Sequence, residues 1–452
     1  MKTLLHFLFI VLFTGTIASK ANAQCGAVGN GTGGGVLCMY TDSMNNCLYV
    51  GGGFQMSGND SLNHCGMWND TTFNPMGMGN IGTNDSVWCF TFFNGDLYVG
   101  GSFTQAGGVP ANRVARWDGT NWYAMGDGFN DAVYSLVVYS GQLYAGGQFT
   151  ASGITSLNFT AFWDGTQWIQ TDGGTNGMVK AMHVKDNYLF MGGAFTEAGG
   201  ITVNHICKWD GTTFSAMSNG FTCNGGGQCA VNTICTFNGN LYAGGMFQGG
   251  MNNMQNIAMW NGMNWNSIGN VQGGQGNNMV NAMCVYNGML YIGGNFGSCG
   301  SQASNNIATW NGTSWSAFGT GMNGRVNALA VFNDKLFIGG SFTDAAGTSV
   351  NNIANYSSST GILQQEYYSP YVVHPNPAMN TIQLKWIQSD TAPVSVKVYD
   401  AIGNKVFNRE MGILTVGAHT YDISVAGLRE GIYMISFQAG NSRYLNKVVI
   451  AR

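Results

Sequence analysis

Few side chains in this chain have the types and spacing that chemistry requires. His183, Cys235 and Cys284 offer one imidazole and two thiols, the donors that hold zinc at about 2.0–2.3 Å. They share one slot of a repeat that holds Val137 and Ala330 in other copies, so the slot reads as apolar and poorly convergent. His64 and His205 share a second slot on distant copies and do not reach one ion together, and copper chemistry would need converging His and Tyr ligands. Glycoside hydrolysis needs a pair of carboxylates, one kept protonated. Glu197 is the only glutamate before Glu366, and the aspartates sit mainly in turns. An arginine cluster for a carboxylate is also thin, with only Arg113, Arg116 and Arg325 before residue 366. No catalytic group, metal or cofactor is therefore expected. What remains is a ring of residues in one repeat slot: Leu37, Trp88, Tyr134, Lys180, Asn232, Asn281 and Asn327. Aromatics on one side and amides on the other could stack on and hydrogen-bond a sugar or peptide. Contact with the neighbouring repeat is the plainer role.

The elements that would hold this ring follow from self-similarity. A large residue followed by Gly-Gly-x-Phe recurs with glycine pairs starting at 51, 100, 146, 192, 244, 293 and 339. The spacings are 49, 46, 46, 52, 49 and 46, and a period near 50 with a diglycine is a propeller signature. In the third copy Val133–Tyr139 and Leu143–Phe149 flank a Ser140-Gly141 turn and read as a hairpin. Phe159–Trp163, an Asp164-Gly165 turn and a strand from Trp168 complete four antiparallel strands. The expected fold is all-β: a seven-bladed propeller of four-stranded blades over residues 24–362.

Residues present in nearly every copy serve the scaffold. Trp68, Trp117, Trp163, Trp209, Trp260 and Trp310, with their aromatic partners one turn later, read as packing. Asn63, Asn112, Asn158, Asn204, Gln255, Asn305 and Asn351 precede the third strand and are expected to satisfy loop backbone groups. The seventh copy lacks the Trp-Asp-Gly turn, whereas Gln24–Gly31 resembles the fourth strand at Trp122–Gly128. The N-terminal segment is therefore expected to close the ring, with Ile362-Leu363 as the alternative. Cys223 and Cys229 bracket an insertion and suit a small disulfide; with 11 cysteines at least one thiol is left over within the chain.

On the diglycine and the paired aromatics, the chain resembles kelch-like, galactose-oxidase-type propellers. Trp117-Asp118-Gly119-Thr120-Asn121-Trp122 partly resembles the Asp-box of sialidases, though Asp and Gly are adjacent here. The resemblance implies a fold and leaves activity open.

Composition and termini supply an address. Glycine fills 69 of 452 positions and charged residues only 8%, about a third of the usual share. A net charge of −4 excludes a broadly basic nucleic-acid binder. Lys2, the apolar run Leu4–Phe13 and Ala21-Asn22-Ala23 read as a signal peptide over residues 1–23. No later stretch reaches 18 apolar residues, so no transmembrane segment is expected in the mature chain. Residues 24–366 carry 7 basic and 16 acidic groups, but residues 367–452 carry 8 and 5, a change of sign. After a linker at 363–370, residues 371–452 read as a small Ig-like β-sandwich with strands at Thr381–Trp386, Val394–Tyr399, Val406–Arg409, Thr420–Ser424 and Ile432–Phe437.

This last segment resembles the type A C-terminal sorting domain of type IX secretion. The matching pieces are Pro375-Asn376-Pro377, Val398–Gly403, Gly431-Ile432-Tyr433 and Lys447–Ile450, with His374 replacing the usual Tyr. The resemblance implies passage across the outer membrane, removal by a sorting peptidase, and release or retention at the cell surface. The resulting expectation is an exported propeller that binds a glycan or protein at one face. A secreted carbohydrate-active hydrolase or lyase and a structural surface component are the alternatives.

Overall fold

The computed structural model describes residues 25–451, except 44, 80, 224–228, 250–253, 275–276, 359–370, 375–377, 389–390, 401–403, 416 and 440–441. The expected signal peptide, the linker, Ile362-Leu363 and Pro375-Asn376-Pro377 lie outside the described residues. The chain divides into two compact units, Met1–Ser359 and Thr360–Arg452. All regular structure described is β, and no described helix is long and apolar enough to cross a membrane.

Among the described residues, the first unit contains seven four-stranded antiparallel sheets of the kind that build propellers. Six are meanders in which each strand pairs with the next. The first strands of all seven, from Val36–Asp42 to Arg325–Phe332, touch in cyclic order, and the last also touches the first. The two motif glycines explain how the sheets come so close. A Cβ on Gly51, Gly100, Gly146, Gly192, Gly244 or Gly293 would fall 2.3–2.7 Å from a methyl of the next sheet's leading valine. On Gly339 it would meet Val36 at 2.5 Å, which brings the seventh sheet against the first. A Cβ on the second glycine would strike a carbonyl of its own first strand, as Gly340 does Arg325 O at 2.0 Å. Only glycine allows both approaches.

The seventh sheet takes its fourth strand from the other end of the chain. Cys25, Gly26 and Ala27 pair antiparallel with Tyr356, Asn355 and Ala354. Thr348 Oγ1 donates to Cys25 O (3.0 Å) and Asn351 Nδ2 to Asn30 O (3.0 Å). The same asparagine contact follows the fourth strand in other sheets, such as Asn112 to Asp127 O and Asn158 to Gly173 O.

Between sheets, aromatic side chains of the fourth strand act as clamps. Trp122, Trp168 and Trp315 each donate from Nε1 to a carbonyl of the preceding sheet: Met76, Met125 and Ile268. Within sheets, the tryptophan pairs Trp117–Trp122, Trp163–Trp168, Trp260–Trp265 and Trp310–Trp315 lie 5.0–5.3 Å apart and tilted. Such pairs contribute about 0.5–1.5 kcal/mol beyond burial. One slot differs from expectation. In the fifth sheet the loop amide comes from Asn256, not Gln255; Asn256 Nδ2 donates to Val271 O (2.8 Å) and Oδ1 accepts from Phe247 N. Asn256 occupies the position of Asn306, which likewise accepts from a motif-phenylalanine N–H (Phe296) and donates to a loop carbonyl (Met322 O). The Gly/Ser-rich stretch after the second strand is not structureless either, since in most sheets it forms a two-residue hairpin such as Met56–Ser57 with Asp60–Ser61.

Between the third and fourth strands, turns are capped by Asn69, Asp118, Asp164, Asp210, Asn261 and Asn311, each accepting two backbone N–H bonds. Those N–H donors hold the Asp118, Asp164 and Asp210 carboxyls below the usual range. A lowered folded value stabilises the fold above the unfolded value of about 3.9 and is lost on acidification below it. Asn at all three aspartate positions should therefore flatten the fall in melting temperature between about pH 5 and pH 2 relative to the wild type. An equally steep fall in the triple variant would remove these turns as the acid-sensitive element.

The second unit has a three-stranded sheet (Tyr371–His374, Thr381–Gln388, Gly417–Ser424) and a four-stranded one (Ala392–Tyr399, Lys405–Leu414, Gly431–Ala439, Ser442–Ile450). Tyr371–His374 and Ser442–Ile450 are additional to the five strands expected. Alternate residues of both sheets, including Ile382, Leu384, Trp386, Val396, Ile435 and Phe437, share one apolar core.

Candidate functional site

In every sheet of the first unit the pairing of first and second strands skips one residue. The skipped residues are Leu37, Trp88, Tyr134, Lys180, Asn232, Asn281 and Asn327. Each is the extra residue of a β-bulge, which re-aims its side chain out of the ladder. All seven line one cavity of about 620 Å³, including every residue of the expected ring. The volume lies within the range of small-ligand pockets.

The aromatic side of this cavity has its polar groups turned away. Trp88 Nε1 donates to Ser102 Oγ (2.8 Å), and Tyr134 OH donates to Gln148 Oε1 (3.0 Å). The two rings meet edge to face at 5.6 Å. The bonds fix the rings' orientation and leave carbon surface beside the cavity.

The amide side forms a ladder from sheet to sheet. Asn232 Nδ2 reaches Val280 O and Asn281 Oδ1, each at 3.4 Å. Asn281 Nδ2 reaches Val326 O and Asn327 Oδ1, and Asn327 Nδ2 reaches Val36 O at 3.2 Å. These asparagines therefore brace neighbouring sheets as well as line the cavity. Asn232 Oδ1 begins the ladder; it is buried and has no hydrogen-bond partner among the described residues. The preceding position in the ring is Lys180, half-buried, whose ammonium burial pushes below lysine's ordinary value.

Met178, Met279, Arg325 and Ser341 also line the cavity and were not singled out from the sequence. Three of them directly precede the leading valine of their sheet, and Ser341 is the x of Gly-Gly-x-Phe. Ser102 and Gln148, which orient the aromatics, fill that same x position, so its variation was a readable signal.

His183, Cys235 and Cys284 do not bring three donor atoms within 4.8 Å of one another. His183 Nε2 lies 2.8 Å from Thr236 Oγ1, and burial pushes its imidazole down. Burial raises Cys235 to about 11 and Cys284 to about 12, so both are protonated thiols at neutral pH. Among the described residues, the donors that do approach one another are His205, Cys223 and Cys229, within 4.8 Å. Cys223 and Cys229 are joined in a disulfide, and the other nine cysteines are free.

Residues 372–451 match the secretion system C-terminal sorting domain. The chain carries a type IX secretion address. That domain delivers it to the cell surface or the extracellular medium and directs it to the type IX machinery. Residues 94–117 match a β-propeller domain of unknown function. Among curated proteins, none matches the chain. Solved structures that the chain matches include PorZ, an essential surface component of the type IX secretion system of Porphyromonas gingivalis. It is 12% identical, with a TM-score of 0.36 over 92% of this chain and 66% of PorZ. This chain thus spans just under two thirds of PorZ. A family 74 glycoside hydrolase of Niastella koreensis is 12% identical, TM-score 0.44, over 95% of this chain and 74% of its own. A family 43 arabinoxylan arabinofuranohydrolase of Bacillus subtilis, solved with cellotetraose, is 13% identical, TM-score 0.25, over 94% and 97%. At such scores the likeness transfers neither substrate nor partner.

Proposed function

We propose that the chain is an exported, seven-bladed, kelch-like propeller that binds a glycan or protein ligand at one channel mouth without transforming it. An N-terminal signal peptide over residues 1–23 starts its export, and an Ig-like domain at 371–452 is cut by the sorting peptidase on exit. The supporting observation is the cavity lined by one bulged residue per sheet. It joins aromatic carbon surface at Trp88 and Tyr134 to a polar wall at Lys180, Asn232, Asn281 and Asn327, the pairing of surfaces that small-ligand sites use. Among the described residues, no carboxylate lines it, whereas hydrolysis of a glycoside would draw on two.

The test is a glycan and peptide array probed with the mature chain and with Trp88→Ala. Loss of the Trp88 ring face should weaken a selective hit by about tenfold or more. Folded wild-type chain that binds nothing, or a hit indifferent to Trp88→Ala, would move the function elsewhere.

A further inference from the structure

Among the described residues, two cations line the cavity, Lys180 and Arg325, and neither has a hydrogen-bond or ion-pair partner. Other cations of this unit are occupied: Arg116 with Asp96, Lys335 with Asp70, Lys185 with Asp186. An unpaired ammonium that is half out of water costs free energy unless something anionic meets it. Asp131 accepts from Ala132 N (2.7 Å) and Asp85 from Ser86 N (2.6 Å), and neither lines the cavity.

The remaining wall specifies what else the anion carries. The amide hydrogens of Asn232 and Asn281 are spent between sheets; Asn281 Oδ1 and Asn327 Oδ1 each accept one of them and keep a second lone pair, and Asn232 Oδ1, buried, has no donor among the described residues. Acceptors call for ligand hydroxyls. Trp88 and Tyr134 call for a face of C–H groups, with their own N–H and O–H already used. A carboxylate, several hydroxyl donors and an apolar face belong together on the ring of an acidic sugar. We infer that the ligand is a carboxylate-bearing glycan, held by Lys180 and Arg325 at its acid, by the asparagine oxygens at its hydroxyls and by Trp88 and Tyr134 at its ring face. This rests on the binding reading of the same cavity and names its ligand class.

The test is calorimetric titration of the mature chain with tetragalacturonate, its methyl ester and poly-glutamate. The methyl ester keeps every hydroxyl and removes the charge. The acid should bind at least tenfold more tightly than the ester and weaken with added salt. Lys180→Met, which keeps the stem, and Arg325→Gln should each remove most of that preference with an unchanged melting temperature; Trp88→Ala should weaken acid and ester alike. Equal binding of acid and ester, indifferent to Lys180→Met, would overturn the acidic class yet keep the sugar site. Poly-glutamate binding as tight as the uronate and indifferent to Trp88→Ala would overturn the sugar. Binding of none of these probes overturns the inference, while an array hit sensitive to Trp88→Ala would still uphold the cavity as the site.

Discussion

Gly340→Ala is expected to lower the melting temperature sharply, while Gly53→Ala leaves it within a degree or so of the wild type. The added Cβ at Gly340 would lie 2.0 Å from Arg325 O and 3.0 Å from Val326 Cα, backbone atoms that cannot rotate away. At Gly53, the x of the first motif, the nearest atom is Ser86 Oγ at 3.6 Å, an ordinary contact. Overpacking of this kind costs typically about 1–3 kcal/mol and more where only backbone can move. Gly339→Ala should fall between the two, because its obstacle is the Val36 side chain at 2.5 Å. Calorimetric melting of the three variants checks the order. A Gly340→Ala chain as stable as Gly53→Ala would mean that the first two strands of the seventh sheet part more readily than their geometry implies.

The second large effect is expected from removing residues 24–31. The segment supplies the outer strand of the seventh sheet and buries Val28 fully and Cys25 to 4% exposure. One buried valine alone contributes about 1.5–3 kcal/mol. Without the segment, Ile353–Tyr356 becomes an open edge, and Asn351 and Thr348 lose their acceptors at Asn30 and Cys25. The truncated chain should unfold at lower temperature, be cut faster by protease after Tyr356, and self-associate through the bared edge. A synthetic peptide of residues 24–33 should restore protection. A truncated chain that melts and resists protease like the intact one would show that the ring holds without this strand.

How much of this was legible depends on whether a residue's role repeats. The diglycine, the tryptophan pairs and the loop asparagines recur, and recurrence alone marked them as scaffold. The ring from Leu37 to Asn327 was legible as a slot for the same reason, but the bulge that turns it toward the cavity was not. A bulge is a slip in pairing between two strands, and a single strand's pattern carries no trace of it. Arg325, Met178 and Met279 were missed because their slot elsewhere holds Gly35, Ser86, Ala132 and Ala230, which looks like a loop preceding a strand. Asn256 makes its bonds from the position after the Gln255 slot, as Asn306 does, so reading one slot per repeat passed it over.

The bulges also separate what the frame requires from what the cavity recognises. Leucine, tryptophan, tyrosine, lysine and asparagine all occupy the skipped position, so the frame tolerates very different volumes and charges there. Each sheet in effect presents one interchangeable letter on an unchanging page. Drift at Leu37, Trp88, Tyr134 and Lys180 can rewrite what the mouth holds without touching a backbone ladder bond or a motif glycine, whereas at Asn232, Asn281 and Asn327 it would also remove a bond between sheets. A lineage of such chains could diversify its ligands at the four non-amide positions while its stability stays nearly constant.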